Sequence, residues 1–326
     1  MSLREKLEIY LITYNRQNAL KHTLERLLEE GSPLKGVTIY VLDNKSPDGT
    51  KTVVEGFIAK HSNLHYICNK YNVGLGGNLI KAMEMASKPY FWILCDDDNF
   101  NWGAWPEVGE AIQSGKYDIV MTTYTTGFRS EEIPFLINEM CFVPSAIYKT
   151  SHIDNTVMTN AYAMAHNLFP FHALSTKIIN NKGKIFVPQG RVVLQDYGQK
   201  SHQTTRGTKL RRDIYLRLQK FSLLWGYVDS YTLIKDKRLR HECMDVLCLG
   251  QSFLGPMTTF IKWFPFTWQN LFDIFCYVSI RQKIQIILAV IINNPILGFY
   301  STEKGLNIRI FSILKTRILP YRKRKK

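Results

Sequence analysis

Cysteine pairs at C-x-x-C spacing are absent from this 326-residue sequence, which excludes a zinc-ribbon or redox-dithiol framework. The six cysteines (Cys68, Cys95, Cys141, Cys243, Cys248, Cys276) stand apart, several inside apolar runs where a reduced thiol packs as a small hydrophobe. That usage points to a reducing, cytoplasmic compartment. No apolar stretch follows the opening MSLREKLEIY, so no secretory leader is expected. Low-complexity tracts and long repeats are also missing, and 45% apolar with 21% charged residues is the balance of an ordinary globular protein. The longest run without charge in the C-terminal third, residues 284–302, contains Gln285, Asn293, Asn294 and Pro295, which excludes a clean membrane span. Acidic residues are scarce in one region only. Residues 1–199 carry 19 Lys+Arg against 20 Asp+Glu, whereas residues 200–326 carry 23 against 7, so the net charge of +15 belongs to the C-terminal part. A cationic segment of this kind suits phosphate-rich or anionic membrane surfaces.

In the first half, strand-like and helix-like segments alternate. LEIYLITY (7–14), VTIYVL (37–42), LHYIC (64–68) and YFWILC (90–95) read as strands, with helices following them near 17–30, 51–60 and 75–87. The alternation predicts right-handed βαβ units and a mostly parallel sheet, in which ligands bind beyond the carboxyl ends of the strands. Four loops therefore share one rim: Thr13-Tyr14-Asn15-Arg16, the stretch from Asp43 to Thr50, the stretch from Asn72 to Asn78, and Asp96-Asp97-Asp98-Asn99.

The last of these poses the sharpest problem, because the strand ILC runs straight into three aspartates that repel one another. Carboxylates two apart at a strand end can converge on Mg²⁺ or Mn²⁺; the other reading is an acidic turn or helix cap. Gly74 and Gly76 open a helix after a strand, but a dinucleotide fingerprint would need glycine at position 79, which is leucine, and would follow the first strand. Asn72 and Asn78 flank these glycines and can face a polar ligand. At the tip of the second strand, Asp43 can accept a hydrogen bond from a nucleobase N–H.

Taken in order, YLITYNR (10–16), VLDNKSPDGT (41–50), NVGLGGN (72–78) and YFWILCDDDN (90–99) resemble the nucleotide-sugar-binding half of a family-2 glycosyltransferase, over about residues 7–125. The resemblance implies a GT-A-type, Rossmann-like α/β fold with a mostly parallel sheet flanked by helices and a C-terminal helical extension. It divides the chain into a catalytic domain at 1–206 (1–125 for the nucleotide sugar, 126–206 for the acceptor) and a basic, aromatic-rich helical region at 207–326. It further implies a D-x-D-type metal site at Asp96 and Asp98 for Mg²⁺ or Mn²⁺, with His202 as an added ligand. Asp43 would contact the nucleobase, and Thr13, Tyr14, Asn15 and Arg16 would lie against the nucleoside and diphosphate. Asn72, Gly74, Asn78 and Asp97 complete the expected donor contacts. The donor would be a nucleotide diphosphate sugar, a UDP-sugar foremost, the reaction inverting, and the acceptor a glycan or lipid-linked glycan of bacterial surface polysaccharide synthesis.

The sequence departs from the family where the acceptor base is expected. After Ser151-His152-Ile153-Asp154, the stretch TVMTNAYAMAHNLFPF holds no acid, leaving Asp154, His166 and His172 as candidate bases. Beyond residue 207, apolar helices beside cationic ones suit attachment in the plane of an anionic inner leaflet, which would place the protein on the inner face of the cytoplasmic membrane. Two other functions were weighed. A nucleotidyltransferase making sugar nucleotides should carry a glycine-rich, basic loop after its first strand, and Tyr14-Asn15-Arg16-Gln17 is not one. A non-enzymatic binder of polyanions or membrane surfaces would act through the basic segment alone; nucleic acid is not the expected partner.

Overall fold

A computed structural model describes residues 2–124, 129–165, 169–194, 229–246, 275–292, 297–302, 305–310 and 314–320. Its first strand, β1 (Leu7–Thr13), is buried at every position, as a strand of a parallel sheet covered on both faces must be, and its one charged residue, Glu8, accepts the Ser87 and Lys88 N–H groups. It is joined by β2 (Thr38–Asp43), β3 (Leu64–Cys68) and β4 (Tyr90–Cys95), then by the short β5 (Asn99–Phe100), β6 (Ile119–Met121), β7 (Ala146–Lys149), β8 (Ile185–Phe186) and β9 (Val193–Leu194). Seven of these form one sheet in the order β3-β2-β1-β4-β7-β6-β8, in which only β7 runs against its neighbours. Register aligns Thr13 with Asp43, Asp43 with Cys68, and Ile12 with Cys95. The loops leaving these strands consequently open on a single edge.

Helices α1 (Leu3–Lys6), α2 (Gln17–Leu28), α3 (Thr50–Ile58), α4 (Gly74–Met85), α5 (Trp105–Ser114), α6 (Ile133–Glu139), α7 (Asn155–Ala163) and α8 (His172–Asn180) cover the sheet. Leu20, Leu24 and Leu27 of α2 pack with Val54 of α3 and Ile112 of α5 against Leu7, Ile9 and Leu11 on one face. Leu79 and Met83 of α4, Val157 of α7 and Leu174 of α8 pack against Tyr10 and Ile12 on the other. Alternate residues of β1 thus serve two separate cores. The expected α/β architecture with a mostly parallel sheet is the one observed.

The C-terminal part differs in detail from a purely helical extension. Helix α9 (Lys237–Val246) packs on α6, and Asn180 of α8 donates to the Leu233 carbonyl (2.8 Å) and accepts from the Lys235 N–H (3.0 Å). Residues 229–246 therefore lie directly on the sheet-bearing body; the expected division at 206 falls outside the described residues. Helix α10 spans Ile280–Ile292. Beyond it, β10 (Leu297–Thr302), β11 (Gly305–Ile310) and β12 (Leu314–Pro320) form an antiparallel sheet where the sequence reading continued in helix. Among the described residues no helix is long and apolar enough to cross a membrane.

Candidate functional site

The three aspartates end β4 and meet the loop that leaves β1. Thr13, itself buried, donates its hydroxyl to Asp96 Oδ2 at 2.7 Å, and the Arg16 guanidinium reaches Asp96 Oδ1 at 2.8 Å and Asp97 Oδ2 at 2.6 Å. The loop can present Arg16 this way because Asn15 takes the left-handed conformation (φ 56°) while its N–H bonds to Ser46 Oγ (2.8 Å). Below them, Thr23 of α2 donates to the Asp96 carbonyl at 2.9 Å and pins the turn from beneath. A cation absent from the sequence-based reading of the aspartates, Arg16, thus supplies part of the missing positive charge.

It does not supply all of it. Burial pushes the Asp96 carboxyl up to about 7 in spite of Arg16 and Thr13, and burial pushes Asp98 well above the usual carboxylate range although its Oδ2 accepts the Cys95 N–H at 2.7 Å. The Cys95 thiol is likewise driven up, first by burial and then by the three aspartates, and stays protonated. One oxygen each of Asp97 and Asp98 and the Cys95 Sγ lie within 4.8 Å of one another. The pair converging on one point is therefore Asp97 and Asp98, whereas the reading from sequence paired Asp98 with Asp96, whose two oxygens are engaged by Thr13 and Arg16. Two carboxylate oxygens suit a hard divalent ion, and a neutral thiol adds little to such a site.

Neighbouring loops are held by side-chain amides. Asp43 is buried; its Oδ1 accepts from the Ser46 N–H (2.9 Å) and hydroxyl (2.6 Å), and its Oδ2 accepts from the Tyr66 hydroxyl (2.6 Å). Asn44 Nδ2 donates to Asn72 Oδ1 (2.9 Å) and to the Gly74 carbonyl (3.0 Å), while its Oδ1 accepts from Asn69 Nδ2 and the Val73 N–H. Asn78 is buried, accepting from Asn69 and donating to the Leu42 carbonyl at 2.9 Å. Asn72 and Asn78, expected to face a ligand, instead tie the third loop to the second, and Gly74 turns there with φ 74°. Tyr66, Asn69 and Lys81, which donates to Asn69 Oδ1 (2.6 Å), went unnoticed in the sequence, and Asn44 figured only as a member of the loop after the second strand. Only the polar character of NKYN hinted at Asn69.

The candidate bases separate. Asp154 caps α7, accepting the Val157 N–H (2.9 Å) and pairing with Lys177 (2.8 Å), which holds its exposed carboxyl below the ordinary range. His166 and His202 lie outside the described residues. His172 is fully buried, stacked on Phe169 and edge-on to Phe171, with only a weak backbone partner at Met140, and burial depresses its imidazole to about 4. The folded protein thus resists protonation there while the unfolded chain accepts a proton near 6.5. Stability is expected to be complete above about pH 6.5 and to fall on acidification toward pH 4, by about 3 kcal/mol at most. Melting temperature measured across that range should show a shallower acid limb for His172→Phe, with turnover at neutral pH retained.

A carboxylate that sequence reasoning passed over lies on the same edge of the sheet. Glu139, at the end of α6, is buried and lines a small recess with Thr123, Tyr124, Ser130 and Phe135. Thr123 leaves the carboxyl end of β6, which runs in the direction of β4. Val192 joins the recess to the aspartate turn: its N–H donates to the Thr122 carbonyl (2.7 Å) and its carbonyl accepts from the Asn101 N–H (2.8 Å).

The sheet is mostly parallel and flanked by helices, and residues 8–197 match the family model for glycosyl transferase family 2. The chain belongs to that family and is a glycosyltransferase. Over 100 residues it is 31% identical to the GalNAc(5)-diNAcBac-PP-undecaprenol beta-1,3-glucosyltransferase of Campylobacter jejuni, a match covering 30% of this chain and 32% of that protein. It is 26% identical over 122 residues to an uncharacterized glycosyltransferase of Mycoplasma pneumoniae, covering 37% of this chain and 41% of that one. The matches span well under half the length of these curated relatives. Among solved structures it is similar to S. aureus TarS (TM-score 0.52, 15% identity, 94% of this chain and 58% of that one). TarS residues 1–349 in complex with UDP-GlcNAc match with TM-score 0.50 at 14% identity, over 94% and 97% of the two chains. At these identities the likeness concerns the fold.

Proposed function

We propose that the protein transfers a sugar, with inversion and with the help of a divalent cation, from a nucleoside diphosphate sugar to a hydroxyl of a glycan or lipid-linked acceptor in bacterial surface polysaccharide synthesis. The observation that carries this reading is the convergence of Asp97 and Asp98 at a rim that also holds Asp43, Thr13 and Arg16. Asp97 and Asp98 would hold Mg²⁺ or Mn²⁺, which supplies Lewis-acid stabilisation to a departing diphosphate. Arg16 favours the charged form of Asp96 against its burial and fixes the β1 loop, and Asp43, set by Ser46 and Tyr66, offers its remaining acceptor capacity to a nucleobase N–H. The donor of the TarS 1–349 complex supports a UDP-sugar as the first choice.

The acceptor base we assign to Glu139. Its carboxylate takes the proton of the acceptor hydroxyl, the oxygen so freed bonds to the anomeric carbon, and the bond from that carbon to the diphosphate breaks, releasing the nucleoside diphosphate. Support comes from its place in a recess beyond the carboxyl end of β6, where Thr122 is tied through Val192 to Asn101. Melting of the intact chain against a panel of sugar nucleotides, with and without Mn²⁺, tests the donor: one sugar nucleotide should raise the midpoint only with the ion, and no response from any donor would overturn the reading. Glu139→Gln should lower kcat by about 10²-fold with the donor KM little changed.

A further inference from the structure

The outward face of α10 is apolar where a solvent-facing helix should be polar. Ile280 is 77% exposed, Ile284 54%, Ile287 49% and Leu288 43%, and their i, i+4, i+7, i+8 spacing sets them in one stripe. The helix cannot turn that stripe inward, because its other side is committed. Ile286 is fully buried, and Gln282, also buried, donates to Asp245 of α9 at 2.9 Å. Ser279 fixes the helix start by exchanging hydrogen bonds with Gln282 (2.9 and 3.3 Å).

Cations collect beside the stripe. Lys237 and Arg240 of α9 and Lys283 of α10 lie close enough together to disfavour protonation of His241 between them, after burial, and Arg281 is exposed on α10 itself. Arg240 stands 5.5 Å from the ring centre of Tyr277, which is 38% exposed at the helix approach. Among the described residues the nearby acids are occupied: Glu242 pairs with Arg238 (2.9 Å), Asp236 caps α9 through the Leu239 N–H (3.0 Å), and Asp245 holds Gln282. An apolar stripe rimmed by lysine and arginine is complementary to a surface with an apolar interior and anionic head groups. With 13 residues, α10 is roughly 20 Å long, too short to span a bilayer but long enough to lie in its surface.

We propose that Ile280, Ile284, Ile287 and Leu288 of α10, flanked by Arg240, Arg281 and Lys283, form the surface by which this protein docks on an anionic lipid leaflet. This specifies the contact behind the membrane association expected from the basic C-terminal sequence, and it does not depend on the identity of donor or base. The test uses the purified full-length chain, without donor or acceptor, in co-sedimentation with phosphatidylcholine vesicles and with vesicles containing phosphatidylglycerol. Wild type should partition onto the anionic vesicles only, and Ile284→Glu with Ile287→Glu should weaken that partition by about tenfold or more. Ile284→Ser with Ile287→Ser, which adds no charge, should weaken it in the same direction, and unchanged donor-dependent melting would confirm that both variants fold. Binding that is unaltered in both variants would assign attachment to the basic charge alone and overturn the proposal. So would failure of wild type to bind, or a concentration-dependent dimer in sedimentation that the substitutions abolish, since the stripe would then meet a second copy of the chain.

Discussion

Arg16→Ala is expected to cost this transferase both turnover and stability. The guanidinium bridges Asp96 and Asp97, and its side chain is 22% exposed while that of Asp96 is 4% exposed. Removing it leaves a buried carboxylate beside two like charges, and breaking a buried ion pair on one side costs about 3–5 kcal/mol, reduced here toward about 2–3 by the solvent that reaches Arg16. The melting midpoint should fall by roughly 5–10 °C. Arg16→Lys keeps the charge but loses the fork that spans two carboxylates, so it should fall between wild type and alanine. Adding Asp96→Asn to Arg16→Ala should recover part of the loss, because the unpaired charge is removed with its partner. A double-mutant cycle by thermal and urea unfolding reads this coupling. Additive losses would mean that Arg16 acts through something other than Asp96.

Asp98→Asn should do the opposite to stability and worse to activity. The amide keeps the shape and can still accept the Cys95 N–H, while one of three crowded acids is neutralised at a site where burial already disfavours its charge. The metal-free protein should be as stable as wild type or more so. Transfer should fall by about 10³-fold, the scale of several kcal/mol of lost charge stabilisation at a leaving diphosphate. Stabilisation by Mn²⁺ should vanish in Asp98→Asn and Asp97→Asn alike, yet persist in Asp96→Asn. That last comparison decides between the two pairings, since a site built on Asp96 and Asp98 would lose its Mn²⁺ response in Asp96→Asn and keep it in Asp97→Asn. Function at this turn is thus held against stability, as expected where like charges are gathered for a ligand.

The strands that end at the rim were legible as sequence. LEIYLITY, LHYIC and YFWILC announce themselves by strand-forming, mostly apolar residues, and their boundaries in the structure differ by at most one residue from those read along the chain. Because strands in βαβ units must run the same way, the loops after them meet on one edge, which brings Thr13, Asp43 and Asp96 together. The C-terminal strands were missed for the converse reason. Leu297–Thr302 is a short apolar run, and such runs do not declare their period.

Side-chain partners were beyond reach of the sequence. Nothing local tells that Asn78 reaches back to Leu42, that Tyr66 closes on Asp43, or that Arg16 spans Asp96 and Asp97 across some eighty positions of chain. The chain alone determined a parallel sheet with acids at its carboxyl edge and a cationic C-terminal part, since periodicity and composition are properties of neighbours in sequence. Tertiary structure alone decided which aspartates cluster with Cys95, which carboxylate lines the recess beyond β6, and which face of α10 is left apolar to solvent, since hydrogen bonds and burial depend on distances that only packing sets.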